Sequence, residues 1–313
     1  MTDRPDRMPD ETPLPQQEPS FLERYNFSPV AFALICLFII FLLYQVVGGT
    51  LTFFLVGTKV TVENVMQHRT LTIVGQTLFI LLPTLLFANL LSKKSSAVFP
   101  WRMPRIGETI FASLGLIFLQ EIFQIYLFFQ DRIPLPEELQ KLVEPLKEMI
   151  EEMFKTLVSS QTVPELLFVI LVVAIAPAVI EELLFRGLIQ SSFERVVTPA
   201  RAALITGIIF GAFHFNPFAI IPLMVLGWYF GYLRMRSKSI ILAMTVHFLN
   251  NVLAVIVAYF RMDDQMVLGA TDGSDINMPM ILAQLFLFVA LFTVSFSSYL
   301  RVTSSVRTGG EEG

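Results

Sequence analysis

The stretch AVIEELLFRGLIQ, residues 178–190, places two adjacent carboxylates and a guanidinium inside a run of mostly apolar residues. A charged side chain at mid-bilayer costs roughly 2.5–3.5 kcal/mol on insertion scales, so Glu181, Glu182 and Arg186 are not retained there for stability. Glu182 and Arg186 stand four residues apart, share one helix face and can pair. Glu181 is rotated by ~100° from Glu182 and lacks that partner. The pair reads as structural support, and the odd carboxylate as available for chemistry. His214 and His247 fall in further apolar runs. His214 closes FGAFH four residues after Phe210, and His247 opens HFLNN with Asn251 four residues on, along the same face. A carboxylate held away from water is a stronger base than a solvated one, and it can share a water molecule with an imidazole. A second imidazole and an amide can donate hydrogen bonds to the oxyanion formed when that water attacks a carbonyl. The set Glu181, His214, His247 and Asn251 therefore suits hydrolysis. Polar clusters in membranes also mark proton or solute paths, and a non-catalytic or transport protein is the alternative reading.

Membrane helices must hold these groups. Of 313 residues, 54% are hydrophobic and 15% charged, whereas soluble domains are nearer a quarter charged. The apolar residues form long blocks at 27–47, 71–91, 106–129, 165–193, 200–215, 218–233, 239–260 and 280–300. Most approach the ~20 residues needed to cross ~30 Å of hydrocarbon. The expected fold is an all-α polytopic membrane protein with about eight transmembrane helices around a polar intramembrane cavity. The fifth and sixth blocks are short, and HFNPF at 214–218 predicts a tight turn between them that protein or a cavity must cover. At 1.5 Å per residue, Glu181 and His214 lie ~20 Å from the cytoplasmic ends of their helices, Asn251 ~18 Å and His247 ~12 Å. Helix geometry thus brings the four groups to one level.

The connecting segments set the orientation. Lysine and arginine number fourteen on the side that holds both termini and seven on the other. This bias places both termini in the cytoplasm, for an integral protein of a bacterial inner membrane. Residues 1–26 are polar and proline-rich and read as a disordered cytoplasmic tail, with the first span as an uncleaved signal anchor. Residues 27–301 form the membrane domain, and 302–313 a polar C-terminal tail. The loop after the third span carries an amphipathic helix over about 137–158, an interfacial strut or a substrate gate. His68 falls in a short loop without a role. Gln120, Glu121 and Gln124 form a second polar cluster that could line a proton or solute path; bonding to a neighbouring helix or lining of the cavity rim is the preferred reading. One cysteine, Cys36, excludes an intrachain disulfide or a cysteine metal cluster. No basic tract suits nucleic acid; the expected partners are the bilayer and a peptide or protein substrate at the membrane.

The residues in EELLFR (Glu181, Glu182, Arg186), FGAFH (Phe210, His214) and HFLNN (His247, Asn251) resemble, in that order, the EExxxR, FxxxH and HxxxN motifs of the CPBP intramembrane proteases. That family comprises the type II CaaX prenyl endopeptidases and bacterial relatives linked to bacteriocin self-immunity. The resemblance covers a catalytic core at about 164–258. It implies an eight-span fold with a polar cavity open toward the cytoplasmic side, and an endopeptidase acting on a membrane-associated or lipidated peptide. It implies that Glu181 and His214 activate a water, that His247 and Asn251 steady the tetrahedral oxyanion, and that Glu182 and Arg186, with Phe210, hold the site in shape. The family's naming as metalloproteases also suggests Zn2+, for which Glu181, His214 and His247 would supply a two-His, one-carboxylate set. A glutamate-dependent reaction without metal gives every polar group a role and is preferred. HExxH, GxSxG and aspartates within the apolar spans are absent, so other hydrolase classes lose ground. A CaaX substrate would carry a prenylated C-terminal cysteine, and nothing in the sequence names it.

Overall fold

A computed structural model describes residues 19–260 and 277–304. Most of the expected disordered tail (1–18) and most of the C-terminal tail (305–313) lie outside the described residues. In chain order the helices are α1 (Phe21–Arg24), α2 (Pro29–Val56), α3 (Val65–Leu91), α4 (Ser95–Val98), α5 (Ile106–Gln130), α6 (Glu137–Val158), α7 (Val163–Phe193), α8 (Pro199–Phe213), α9 (Ile220–Ser237), α10 (Ile240–Tyr259) and α11 (Met278–Val302). Among the described residues there is no strand, only an isolated bridge between Trp101 and Ser239. Six helices, α2, α3, α5, α7, α10 and α11, are long and apolar enough to cross a membrane. The other two expected spans are present as α8, which is shorter, and α9, which ends in Arg234 and Arg236. The protein is an all-α integral membrane protein.

Two expectations at the polar margins change. Residues 20–25, inside the segment read as disordered, form a capped turn. Ser20 and Glu23 make a capping box, with the Ser20 N–H donating to Glu23 Oε2 at 2.7 Å, and Leu22 is buried in the core. His68 is helical and buried rather than in a loop, because α3 starts at Val65. The turn Gln67–Thr70 is polar and escapes a hydropathy reading. It is held by Arg69, whose fully buried guanidinium donates to the carbonyls of Leu157 (3.0 Å), Thr156 (3.2 Å) and Ser159 and pairs with Glu165 at 2.7 Å. The last carbonyls of α6 have no partners within their own helix, and Arg69 supplies them.

Proline shapes the long helices. π-helical stretches at Gln76–Leu81 and Ile170–Ile175 end two residues before Pro83 and Pro177. Proline lacks the N–H and its ring crowds the carbonyl four residues back; a widened turn relieves that crowding. Two more π stretches occupy Leu42–Gly48 and Leu183–Ile189, the latter carrying Arg186.

Glycine shapes the α8–α9 hairpin. A Cβ on Gly207 would stand 2.4 Å from the backbone nitrogen of Trp228, and one on Gly227 2.8 Å from the Gly207 carbonyl. The two backbones therefore touch, as small residues allow in membranes. The turn between them forms where HFNPF predicts it. Phe215 has φ 51°, the Phe218 N–H donates to Asn216 Oδ1 at 3.1 Å, and Gln130 at the end of α5 donates to the Phe218 carbonyl at 2.8 Å.

These bonds define two faces. On the termini face, Arg102 donates to the Ser237 carbonyl at 2.6 Å and Arg195 to the Leu91 carbonyl at 3.1 Å. On the opposite face lie α6, the first turn of α3 and the α8–α9 turn. The bundle is solid toward the termini face, where every residue from 182 to 193 is buried.

The close approach of α8 and α9 predicts that Gly207→Val forces the pair apart, at about 1–3 kcal/mol for overpacking. Gly49, where an added Cβ would meet nothing within 4 Å, should accept alanine without loss. Thermal unfolding in detergent compares the two variants; equal melting temperatures would show that the contact at Gly207 does not matter.

Candidate active site

The π stretch of α7 carries a guanidinium into the packed half of the bundle. Arg186 and Glu182 are both fully buried, with Arg186 Nη1 3.0 Å from Glu182 Oε1, so the expected pair forms. Arg186 Nη2 donates to the Gly227 carbonyl at 3.0 Å, and its guanidinium stands 4.5 Å from the centre of the Phe210 ring and 5.4 Å from that of Phe230. Cation and aromatic faces attract, the more so when desolvated. Phe210 also packs on His214, ring centres 4.5 Å apart, and on His247 at 5.9 Å. It is the apolar hub that spaces the three polar groups.

Glu182 has a second partner that spacing could not reveal. His247 Nδ1 donates to Glu182 Oε1 at 2.9 Å, and Phe230 stacks on the imidazole at 4.9 Å and 20°. Edge and face are thereby fixed, and Nε2 is the ring nitrogen left for the cavity that His247 lines. His214 is oriented by its own helix: Nδ1–H donates to the Phe210 carbonyl at 2.7 Å, which leaves the Nε2 lone pair. That atom lies 3.8 Å from Glu181 Oε2, which is buried and has no hydrogen-bond partner. The separation is too long for a direct hydrogen bond and within reach of one shared water.

Asn251 is set by an amide relay. Gln120 Nε2 donates to Asn250 Oδ1, and Asn250 Nδ2 donates to Asn251 Oδ1 at 3.0 Å. With its oxygen occupied, Asn251 offers its NH2 group. Gln120 belongs to the second polar cluster noted in the sequence. Asn250 and Phe230 went unrecognised there, and only the doubled asparagine in HFLNN was a signal for the first.

All four groups line one cavity of about 590 Å³. Thr72 and Gln76 of α3, Val172 and Pro177 of α7, and Leu223 and Leu226 of α9 form its walls. Its roof is α6, the expected amphipathic helix, through Ile150, Met153, Phe154 and Leu157. Glu181 is the only aspartate, glutamate, lysine or arginine among the lining residues. The cavity extends from Glu181 and His247 toward α6, away from the termini face.

A two-His, one-carboxylate zinc site would need Glu181, His214 and His247 to converge. Among the described residues no three His, Cys, Asp or Glu side chains are gathered closely enough to hold a metal ion. As placed, these residues do not fit that site.

A protein-family model described as Type II CAAX prenyl endopeptidase Rce1-like matches residues 163–253, the segment that carries all of these groups except the Gln120 amide and the α3 and α6 walls. No curated protein and no solved structure matches the chain.

Sharing Glu182 between Arg186 and His247 separates stability from activity. Glu182→Gln strands a buried guanidinium and should destabilise by ~3–5 kcal/mol. Adding Arg186→Met should restore much of the unfolding temperature in detergent but not turnover, because His247 stays without its orienting carboxylate. Gln120→Leu, which breaks the amide relay, should lower turnover about 10-fold or more with little loss of stability. Recovery of full turnover in the double variant would remove the orienting role of Glu182.

Proposed function

Through residues 163–253 the chain belongs to the CPBP family, and from that premise we propose that it is an intramembrane endopeptidase that cleaves a membrane-associated peptide with water activated by Glu181 and His214. The observation that carries this reading is the buried, unpartnered Glu181 Oε2 facing His214 Nε2 at 3.8 Å at the deep end of the cavity. A water held between them loses a proton to this carboxylate–imidazole pair as its oxygen adds to the scissile carbonyl carbon. The carbonyl oxygen becomes an oxyanion, which takes hydrogen bonds from Asn251 Nδ2 and from His247 Nε2–H. Collapse of the intermediate breaks the C–N bond, and the abstracted proton passes to the leaving amine. Oriented donors need no reorganisation during the reaction.

The packed floor of the cavity supports hydrolysis over transport. A solute path has to reach both faces, and residues 182–193 are all buried beneath the site.

Glu181→Gln keeps volume and removes the base. Turnover should fall at least ~10²-fold, with unchanged thermal stability in detergent. Protein stripped of metal by a chelator should keep its activity; stoichiometric zinc, with activity restored only by metal, would overturn the metal-free reaction. C-terminal peptide mass spectrometry on wild-type and Glu181→Ala cells would identify the substrate, as peptides cut only in wild type. Full activity of Glu181→Gln on such a peptide would refute the mechanism.

A further inference from the structure

One acceptor in the cavity wall has no part in the reaction described above. Gln76 of α3 lines the cavity and is only 7% exposed, yet its Oε1 accepts no hydrogen bond. It sits at the reactive end. The π stretch that begins at Gln76 packs on Ala176–Glu182 of α7, and the Tyr44 hydroxyl of α2 stands beside the Gln76 amide and within the field of the Glu181 carboxylate. A buried acceptor without a donor is costly, and the reacting groups supply none. The two hydrogens of the water go to Glu181 and His214, the His247 and Asn251 donors go to the oxyanion, and Asn250 Nδ2 is taken by Asn251 Oδ1. A bound peptide brings the missing donor, because each of its buried N–H groups needs an acceptor in turn. One helical turn before Gln76, Thr72 also lines the cavity. Its hydroxyl donates to the His68 carbonyl at 2.9 Å, which leaves its oxygen lone pairs to accept. Four residues of helix rise ~6 Å. N–H groups along one edge of an extended chain recur every second residue, roughly 6.6 Å apart. The two acceptors on α3 are therefore in register with alternate N–H groups of an extended peptide. Both lie outside 163–253, the segment that carries the reacting groups.

We propose that Gln76 and Thr72 form the substrate-binding edge of the site, on which the peptide lies extended along α3 and donates alternate main-chain N–H groups. This rests on the endopeptidase reading above. Gln76 Oε1 takes the N–H nearest the scissile bond, and Thr72 Oγ1 takes the N–H two residues farther from it. The arrangement borrows the logic of a strand added to a sheet edge, in which main-chain bonds fix the register of the guest. Held in that register, the scissile carbonyl is set against the water between Glu181 and His214. The contact reads the main chain and is the same for every side chain except proline, which has no N–H to give. Proline is therefore excluded at two substrate positions two residues apart, whatever the rest of the sequence.

The probe is a synthetic peptide spanning a cleavage found in wild-type but not in Glu181→Ala cells, assayed on the full chain in detergent. Each amide of the peptide is N-methylated in turn, and kcat/KM is measured with wild type, Gln76→Met and Thr72→Val. In wild type, two N-methyl positions two residues apart should each lower kcat/KM about 10-fold, the effect of leaving a buried acceptor unpaired. Gln76→Met should erase the penalty at the position nearer the scissile bond, and Thr72→Val the penalty at the other, since a residue and its partner are coupled in such a cycle. On the unmodified peptide each variant should itself lose about 10-fold in kcat/KM. The melting temperature of Gln76→Met should not fall, because Oε1 has no protein partner to lose. Should Gln76→Met fail to fold, Gln76→Ala takes its place in the same cycle. Penalties that persist unchanged in both variants are steric and overturn the proposal, as does wild-type kcat/KM in Gln76→Met. Sensitive positions that are not two residues apart overturn the extended register. Glu181-dependent cleavage without coupling leaves the endopeptidase standing and removes this edge; the absence of any Glu181-dependent peptide removes both.

Discussion

A guanidinium with no access to water constrains the whole half of this protein that bears the candidate site. Arg186 can remain buried because Glu182 neutralises it, the Gly227 carbonyl accepts from it and the Phe210 and Phe230 rings face it. Each partner comes from a different place in the fold: Glu182 from the preceding turn of α7, Phe210 from α8, Gly227 and Phe230 from α9. Removing any one leaves the others around an under-compensated charge, and in a low-dielectric interior that is expensive. The contact with the Gly227 carbonyl is available only where α8 and α9 come close enough for Gly207 and Gly227 to touch. The small residues of the hairpin and the buried ion pair are thus one arrangement.

The same pair reaches into the chemistry through Glu182 Oε1, which contacts both Arg186 and His247. A carboxylate fixed by a buried arginine cannot swing, so the imidazole bonded to it is held too, and stacking on Phe230 removes the remaining rotation. Glu181, one residue away, faces the cavity and has no such restraint. Adjacent glutamates on one helix therefore take opposite parts because a helix turns ~100° per residue. On the far side of the cavity, Asn251 owes its orientation to amides on two helices rather than to any charge.

The cavity exists because the long helices are not regular. Pro177 follows a π stretch in α7 and Pro83 follows one in α3, and Gln76, Val172, Val173 and Pro177 from these irregular regions line the cavity. Arg69 holds the last carbonyls of α6, whose C-terminal half lines the cavity.

Much of this was legible in the sequence because the signals are local. Apolar blocks, i, i+4 spacings and turn residues depend on neighbours within a few positions, so the membrane helices, the Glu182–Arg186 pair, the HFNPF turn and the amphipathic helix at 137–158 could all be read directly. Margins were misread where long-range bonds override local polarity: the first turn of α3 is helical because Arg69 is satisfied from α6, and residues 20–25 are ordered because Leu22 finds the core. What only the tertiary structure decided are the contacts between residues far apart in the chain. His247 meets Glu182 across 65 positions and Gln120 meets Asn250 across 130, and no periodicity encodes either. Such contacts are a property of side chains meeting across helices, which spacing along one helix does not report.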